Sequence, residues 1–166
     1  MRTRDARDIA IEILALEGRA LDERRWDDWL GLYCPDAEYW VPAWKSESQP
    51  TEDPDTEISL IYYSDRRGLE ERVQRIRSGK SLSSTPLHRT THLVSHVLID
   101  ADTGSSIKAS AAYQVNVFDP RSKRQHLFFG RYALDLELRD GRWLIRRKKT
   151  LLNNDYIPTM LDIYCI

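Results

Sequence analysis

Apolar residues recur at spacings of three and four near the start of the chain: Ala6, Ile9, Ala10, Ile13, Leu14, Leu16, Ala20 and Leu21. That rhythm predicts an amphipathic helix with one apolar stripe. Asp22-Glu23-Arg24-Arg25 interrupts it, and Trp26, Trp29, Leu30 and Tyr33 predict a second, short helix. Pro35-Asp36 is expected to end that helix, because proline disfavours helical geometry in the residue before it. The aromatic run from Glu38 to Trp44 reads as a short strand. Lys45 to Glu57 is polar, contains Pro50 and Pro54, and reads as an ordered loop or arm. Ile58 to Tyr63 is a short strand. Gly68, Leu69, Val73 and Ile76 follow Asp65 as an amphipathic helix ending near Gly79, and the Ser-rich stretch Ser78 to Thr85 reads as a surface loop.

The second half has a period of two. Ile107, Ala109, Ala111, Tyr113, Val115 and Val117 alternate with polar residues, and Phe128, Tyr132, Leu134, Leu136 and Leu138 do the same. A strand between His92 and Asp100 carries Leu93, Val94, Val97, Leu98 and Ile99, and Trp143-Leu144-Ile145 opens another toward Leu151-Leu152. Asp102-Thr103-Gly104, Asp119-Pro120 and Asp140-Gly141 separate them, and Asp-Gly between strands is a strong hairpin signal. Four long strands in an antiparallel meander after N-terminal helices make an α+β fold.

Composition narrows the class. A chain of 166 residues fits one domain spanning residues 1–166, with a core that needs no disulfide or metal staple. Its 25 basic and 26 acidic residues give a formal charge of -1, which points away from nucleic acid or an anionic membrane as partner. Cys34 and Cys165 lie far apart and suggest no disulfide framework, so a cytoplasmic location is expected. The first residues are too polar for a signal-peptide core, and no apolar run approaches the roughly 20 residues that span a bilayer.

Several arrangements invite chemistry. His88, His92 and His96 are spaced by four, but on a strand four residues span about 13 Å, too far for neighbours to share an ion. No carboxylate sits at a facial-triad spacing from them, so they read as polar or interface histidines. Two cysteines without adjacent histidines cannot hold a Rieske cluster, and Cys34 reads as a core residue. No phosphate-binding glycine loop or nucleophile elbow is present. The basic run Arg146 to Lys149 follows Trp143-Leu144-Ile145 and reads as a solvated or subunit-contacting strand. Asp22, Asp27, Asp28 and Asp36, with Tyr33 and Tyr39, could supply the acid, base and donors of a cone-shaped isomerase. All four aspartates, however, lie at or near predicted helix ends, where Asp is expected for local reasons.

The stretch from Leu21 to Tyr33, LDERRWDDWLGLY, and the following Pro35 to Ala43, PDAEYWVPA, carry a resemblance. It extends through DPDTEISLIYYSDR (Asp53 to Arg66), GLEERVQRI (Gly68 to Ile76), RTTH (Arg89 to His92), NDYIP (Asn154 to Pro158) and LDIY (Leu161 to Tyr164). These strings resemble the small (beta) subunit of bacterial aromatic-ring-hydroxylating dioxygenases, in the benzoate, toluate, anthranilate and 2-halobenzoate group, over nearly the whole chain. The resemblance implies a cone-shaped, NTF2-like/cystatin-like fold with the helices packed on a strongly curved antiparallel sheet. It implies a non-catalytic, structural role beside a large (alpha) subunit, as an alpha3beta3 heterohexamer. The Rieske 2Fe-2S cluster, the mononuclear Fe(II) and the substrate pocket are then expected in the alpha subunit, and this chain holds no cofactor. The resemblance further implies that an NADH-dependent reductase supplies electrons and that O2 is inserted into a benzoate-type aromatic acid.

Aromatic residues and Arg are enriched in interface cores, so Trp40, Trp44, Tyr62, Tyr63 and Arg66, within Trp40 to Arg66, are the expected subunit-interface residues. The alternative is that the same aromatics fill the cone. His96 stands where Asn is expected in many relatives. Two other functions stay open: a stand-alone SnoaL/ketosteroid-isomerase-like isomerase or dehydratase, and a small-ligand binding module.

Overall fold

The computed structural model describes residues 5–80 and 85–166. Residues 1–4 and residues 81–84, part of the loop expected over Ser78 to Thr85, lie outside the described residues.

Helix α1 (Ala6–Asp22) begins where the Asp5 side chain accepts from the Arg7 amide, and it buries Ile9, Ala10, Ile13, Leu14 and Leu21. Leu16, in the expected stripe, remains 42% exposed. Helix α2 is shorter than expected, Trp26–Leu30, because Tyr33 already belongs to strand β1 (Tyr33–Pro42). Pro35 therefore lies inside a strand. Its missing N–H removes no ladder bond, since the pairing of β1 is irregular between Tyr33 and Glu38 on one side and starts only at Tyr39 on the other. Strand β2 (Ser59–Tyr63) leads into α3 (Arg66–Arg77), capped by Asp65 through the Arg67 amide.

Four long strands follow: β3 (Arg89–Asp102), β4 (Ser106–Asp119), β5 (Arg124–Arg139) and β6 (Arg142–Leu152). Between β5 and β6, Asp140 and Gly141 both take positive φ, 51° and 76°, the requirement of a two-residue hairpin turn that follows the twist of its strands. The sheet is open, in the order β2-β1-β6-β5-β4-β3. Its pairings are antiparallel except one: β1 lies parallel to β6.

The two faces of the sheet follow from the period of two. Ile107, Ala109, Ala111, Tyr113, Val115 and Val117 of β4, with Phe128, Tyr132, Leu134 and Leu136 of β5, are buried toward the helices. Helix α1 packs mainly against β3 and α3 against β1, closing that face. A 3-10 turn at Ile163–Cys165 brings Ile163, Tyr164, Cys165 and Ile166 into the same core. Arg72 on α3 holds the turn by a bidentate pairing with Asp162, whose side chain is 1% exposed (Nε to Oδ1 2.8 Å). Gly130 interrupts the apolar alternation of β5 because a Cβ there would lie 1.9 Å from the Leu151 carbonyl oxygen. The sheet is drawn too tightly at that point for any side chain.

Candidate functional site

Charged and aromatic side chains meet in the interior of the cone. Glu17, on α1, and Lys148, on β6, meet there with Nζ 2.9 Å from both carboxylate oxygens, and their side chains are 2% and 0% exposed. Tyr33 donates its hydroxyl to Glu17 and Trp29 donates its indole N–H to the same oxygen at 3.4 Å. The ammonium lies 4.1 Å from the centroid of the Tyr132 ring and 5.8 Å from that of Tyr39, where the ring faces attract a cation. Tyr132 stacks on Tyr113 at 4.1 Å. Burial, followed by the Glu17 charge, raises the hydroxyls of Tyr33, Tyr39 and Tyr132 well above the ordinary range, so they stay protonated. A carboxylate neutralised by an ammonium and capped by two further donors is spent on structure rather than free to take a proton from a substrate.

The aspartates that might have formed an isomerase site are dispersed. Asp27 pairs with Arg77 at 2.9 Å, Asp28 with Arg25, and Asp36 with Arg139 at 2.7 Å, all at the surface. Asp22 is engaged at the end of α1: it accepts from the Thr90 hydroxyl at 2.8 Å and the His92 amide at 3.0 Å, and meets His92 Nδ1 at 2.5 Å. Burial pushes its carboxyl up, but the His92 and Thr90 hydrogen bonds and the His92 charge outweigh that and hold it below 3.8. Of the expected set, only Tyr33 and Tyr39 reach the interior. Sequence reasoning missed Glu17 and Lys148. The signal was there: Glu17 falls on the apolar stripe of α1, and alternation in Arg146 to Lys149 turns some of its cations inward.

The three histidines occupy three environments. His88 is buried, 3.9 Å from Asp119 and edge-on to His126. His92 belongs to Asp22. His96 is exposed at φ 52°, in an irregularity where the β3–β4 register jumps from Ser95 to Leu98. Among the described residues no group of three or more His, Cys, Asp or Glu could hold a metal ion. Cys34 and Cys165 are buried free thiols, and burial pushes Cys165 up to about 12.

The outward face of the sheet is different in character. Paired positions place Leu98, Ser110, Ala133, Lys149, Trp40 and Tyr62 in one row across all six strands. The expected interface residues divide around this row. Trp40 is 1% exposed, covered by Lys149 (4.4 Å to the ring) and Arg147, and donates to Ser59 Oγ at 2.9 Å. Tyr62 lies beside it, half-buried. Trp44, also half-buried, donates to the Leu152 carbonyl at 2.7 Å. Tyr63 turns inward against Tyr39 and Gly68. Arg66 donates to the Tyr33 carbonyl at 3.1 Å and pairs with Glu70, fastening α3 to β1. Sequence reasoning missed Leu98, Leu127 and Phe129, which are 62%, 37% and 41% exposed on the outward face. Apolar Leu127, Phe128 and Phe129 in succession break the alternation and mark both faces as apolar there.

An open sheet wrapped around helices, with Glu17, Lys148 and tyrosines inside and apolar residues interspersed with charged ones on the outward face, has the architecture of an NTF2-like cone. Comparison with known proteins shows the family. A family described as "Ring hydroxylating beta subunit" matches residues 16–159. The chain is 41% identical to the benzoate 1,2-dioxygenase subunit beta of Acinetobacter baylyi, over 93% of this chain and 90% of that protein. It is 39% identical to the toluate 1,2-dioxygenase subunit beta of Pseudomonas putida, over 92% and 93%. The crystal structure of the beta subunit of the benzoate 1,2-dioxygenase from Burkholderia mallei superposes with a TM-score of 0.82 at 32% identity, covering both chains entirely. The chain belongs to the ring-hydroxylating dioxygenase beta-subunit family. It is the beta subunit of an oxidoreductase whose catalytic centre lies in the alpha subunit.

Proposed function

We propose that this chain, as one domain over residues 1–166, is the structural subunit of a Rieske non-haem iron oxygenase that dihydroxylates a benzoate-type aromatic acid in the cytoplasm. The alpha partner carries the Rieske 2Fe-2S cluster and the mononuclear Fe(II), an NADH-dependent reductase feeds it electrons, and three copies of each subunit assemble. The observation that carries this reading is the near full-length match to the benzoate and toluate subunits. The interior supports it, because Glu17, Lys148 and four tyrosines occupy the space a cone enzyme would give its substrate. Along Trp40 to Arg66, Trp44 and Tyr62 offer half-buried aromatic surface to the alpha subunit, while Trp40, Tyr63 and Arg66 brace it from within.

Co-expression with a candidate large subunit, followed by size-exclusion chromatography and iron analysis, tests this. A stable iron-containing complex, with no iron in this chain alone, is expected. Failure to associate, or turnover by the isolated chain, overturns it.

A further inference from the structure

Helix α1 and edge strand β3 leave a hollow of about 600 Å³ between them. That volume falls within the roughly 300–1,000 Å³ of small-ligand sites. Ile11, Leu14 and Ala15 line it from the helix, and Leu93, Val94 and Val97 from the strand. From Ile11 to Asp22 the lining follows the helix for about 16 Å, at 1.5 Å per residue. One polar ring interrupts this apolar wall. His92 lies so close to the helix that a Cβ on Gly18 would come within 2.9 Å of its own Cβ, and only 3% of its side chain is exposed. Asp22, whose carboxyl stays below 3.8 despite burial through its bonds to His92 and Thr90, accepts from His92 Nδ1 at 2.5 Å. The other ring nitrogen, Nε2, is buried with no hydrogen-bond partner among the described residues. A buried polar atom without a partner is rare enough in folded chains to call for an explanation.

We propose that this hollow binds an apolar monocarboxylate, its head received by His92 Nε2 and its body laid along Leu14, Val94 and Val97. The charges around the ring fit such a head. Both carboxylates at that end are already engaged, Asp22 by Thr90 and His92, and Glu23 by Arg19 and Arg25 at 2.8 Å each. Arg19 uses one N–H of its guanidinium in that pairing, lines the hollow and is 71% exposed, so it keeps donors for a second anion. An imidazolium held between Asp22 and the ligand has a carboxylate for each of its two N–H groups, and both hydrogen bonds are charge-assisted. A neutral alcohol offers the ring no such counter-charge. Entry falls to the two most exposed apolar members of the lining, Ile11 and Leu93, at 44% and 51%, whose side chains turn aside without disturbing the core. A straight chain and a single ring can both present this chemistry, and the length of the hollow favours the chain.

The test is calorimetric titration of the full chain with sodium decanoate below its micelle concentration, with benzoate and decanol as parallel arms. Saturation at one decanoate per chain is expected, with decanol at least tenfold weaker. Benzoate binding more tightly than decanoate would assign the site to aromatic acids, and the reverse order to fatty acids; either order upholds the carboxylate head. Ala15→Trp, at an exposed helix position, fills the hollow and should weaken decanoate at least tenfold. His92→Asn keeps an N–H for Asp22 but removes Nε2, and should weaken decanoate to the level of decanol. The Cε1–H resonance of His92 in the parent chain keeps the test independent of any variant's folding, and it should shift with decanoate and not with decanol. Decanol binding as tightly as decanoate, affinity that survives both variants, or an unmoved His92 resonance overturns the inference. If no carboxylate binds and Ala15→Trp instead abolishes capture of the large subunit, the hollow is a protein contact. That result overturns this inference and leaves the proposed function standing. Saturable decanoate binding by a chain that captures no large subunit does the reverse.

Discussion

Lys148 and Glu17, 131 residues apart, close on each other inside the cone with two contacts of 2.9 Å and almost no exposure to solvent. Removing one member leaves the other charge buried and uncompensated, whereas removing both trades a desolvated ion pair for packing. Lys148→Met alone is expected to cost about 3–5 kcal/mol, and the double replacement Glu17→Leu with Lys148→Met much less. Urea denaturation of the two singles and the double checks this. Additive losses would show that the pair is not coupled.

Gly130 makes a sharper case. An added methyl would sit 1.9 Å from a backbone oxygen that cannot rotate away. Gly130→Ala therefore has to part β5 from β6, and a loss of more than about 4 kcal/mol is expected, beyond the ordinary range for a single methyl. Thermal unfolding followed by circular dichroism reads it directly, and a stable variant would mean that the strands separate at little cost.

Acid stability depends on Asp22. Its carboxyl is held below 3.8 in the folded chain, mainly by His92 against the opposing effect of burial. A depressed carboxylate contributes stability that is fully present above its unfolded value and is lost as pH falls through its folded value. That loss lies below about pH 4. Asp22→Asn is expected to lower stability at neutral pH by about 1–2 kcal/mol and to flatten the acid limb of the pH profile. Stability measured between pH 2 and pH 7 should show the two curves converging at the acid end, since protonated Asp and Asn are alike there.

Tyr62 separates partner binding from folding. Its side chain is half-buried on the outward face of β2, the edge strand on that side of the sheet. Tyr62→Ala should reduce capture of the large subunit about tenfold while shifting the melting temperature by only a few degrees. Equal capture by variant and parent would remove Tyr62 from the interface.

Periodicity was enough to place α1, α3 and the four long strands, because each has one wet face and one dry one. It misjudged β1. Tyr33 was assigned to a helix because Pro35 reads as a helix end, and only the uneven pairing around it shows how a proline is accommodated in a strand. The parallel neighbour of β1 was invisible for the same reason that Glu17 and Lys148 were: partners distant in sequence leave no local pattern. The strand spacing of the histidines already argues against a shared metal, and the irregularity at His96 shifts the phase of the strand at that ring. Trp40 shows the limit of composition. It has the residue type of an interface anchor, yet its own strand neighbours Lys149 and Arg147 already cover it.

The parallel pairing of β1 with β6 sets the order in which this protein can be completed on the ribosome. Tyr33 finds its partner Ile145 only after more than a hundred further residues have been made. At about 5–20 residues per second, the β1–β2 hairpin waits roughly 5–20 seconds with one edge bare. During that interval a nascent chain offers its Trp- and Tyr-rich strand to any other strand within reach. Prompt shielding by a chaperone, or synthesis close to its partners, would then govern the yield of this subunit more than its final stability does.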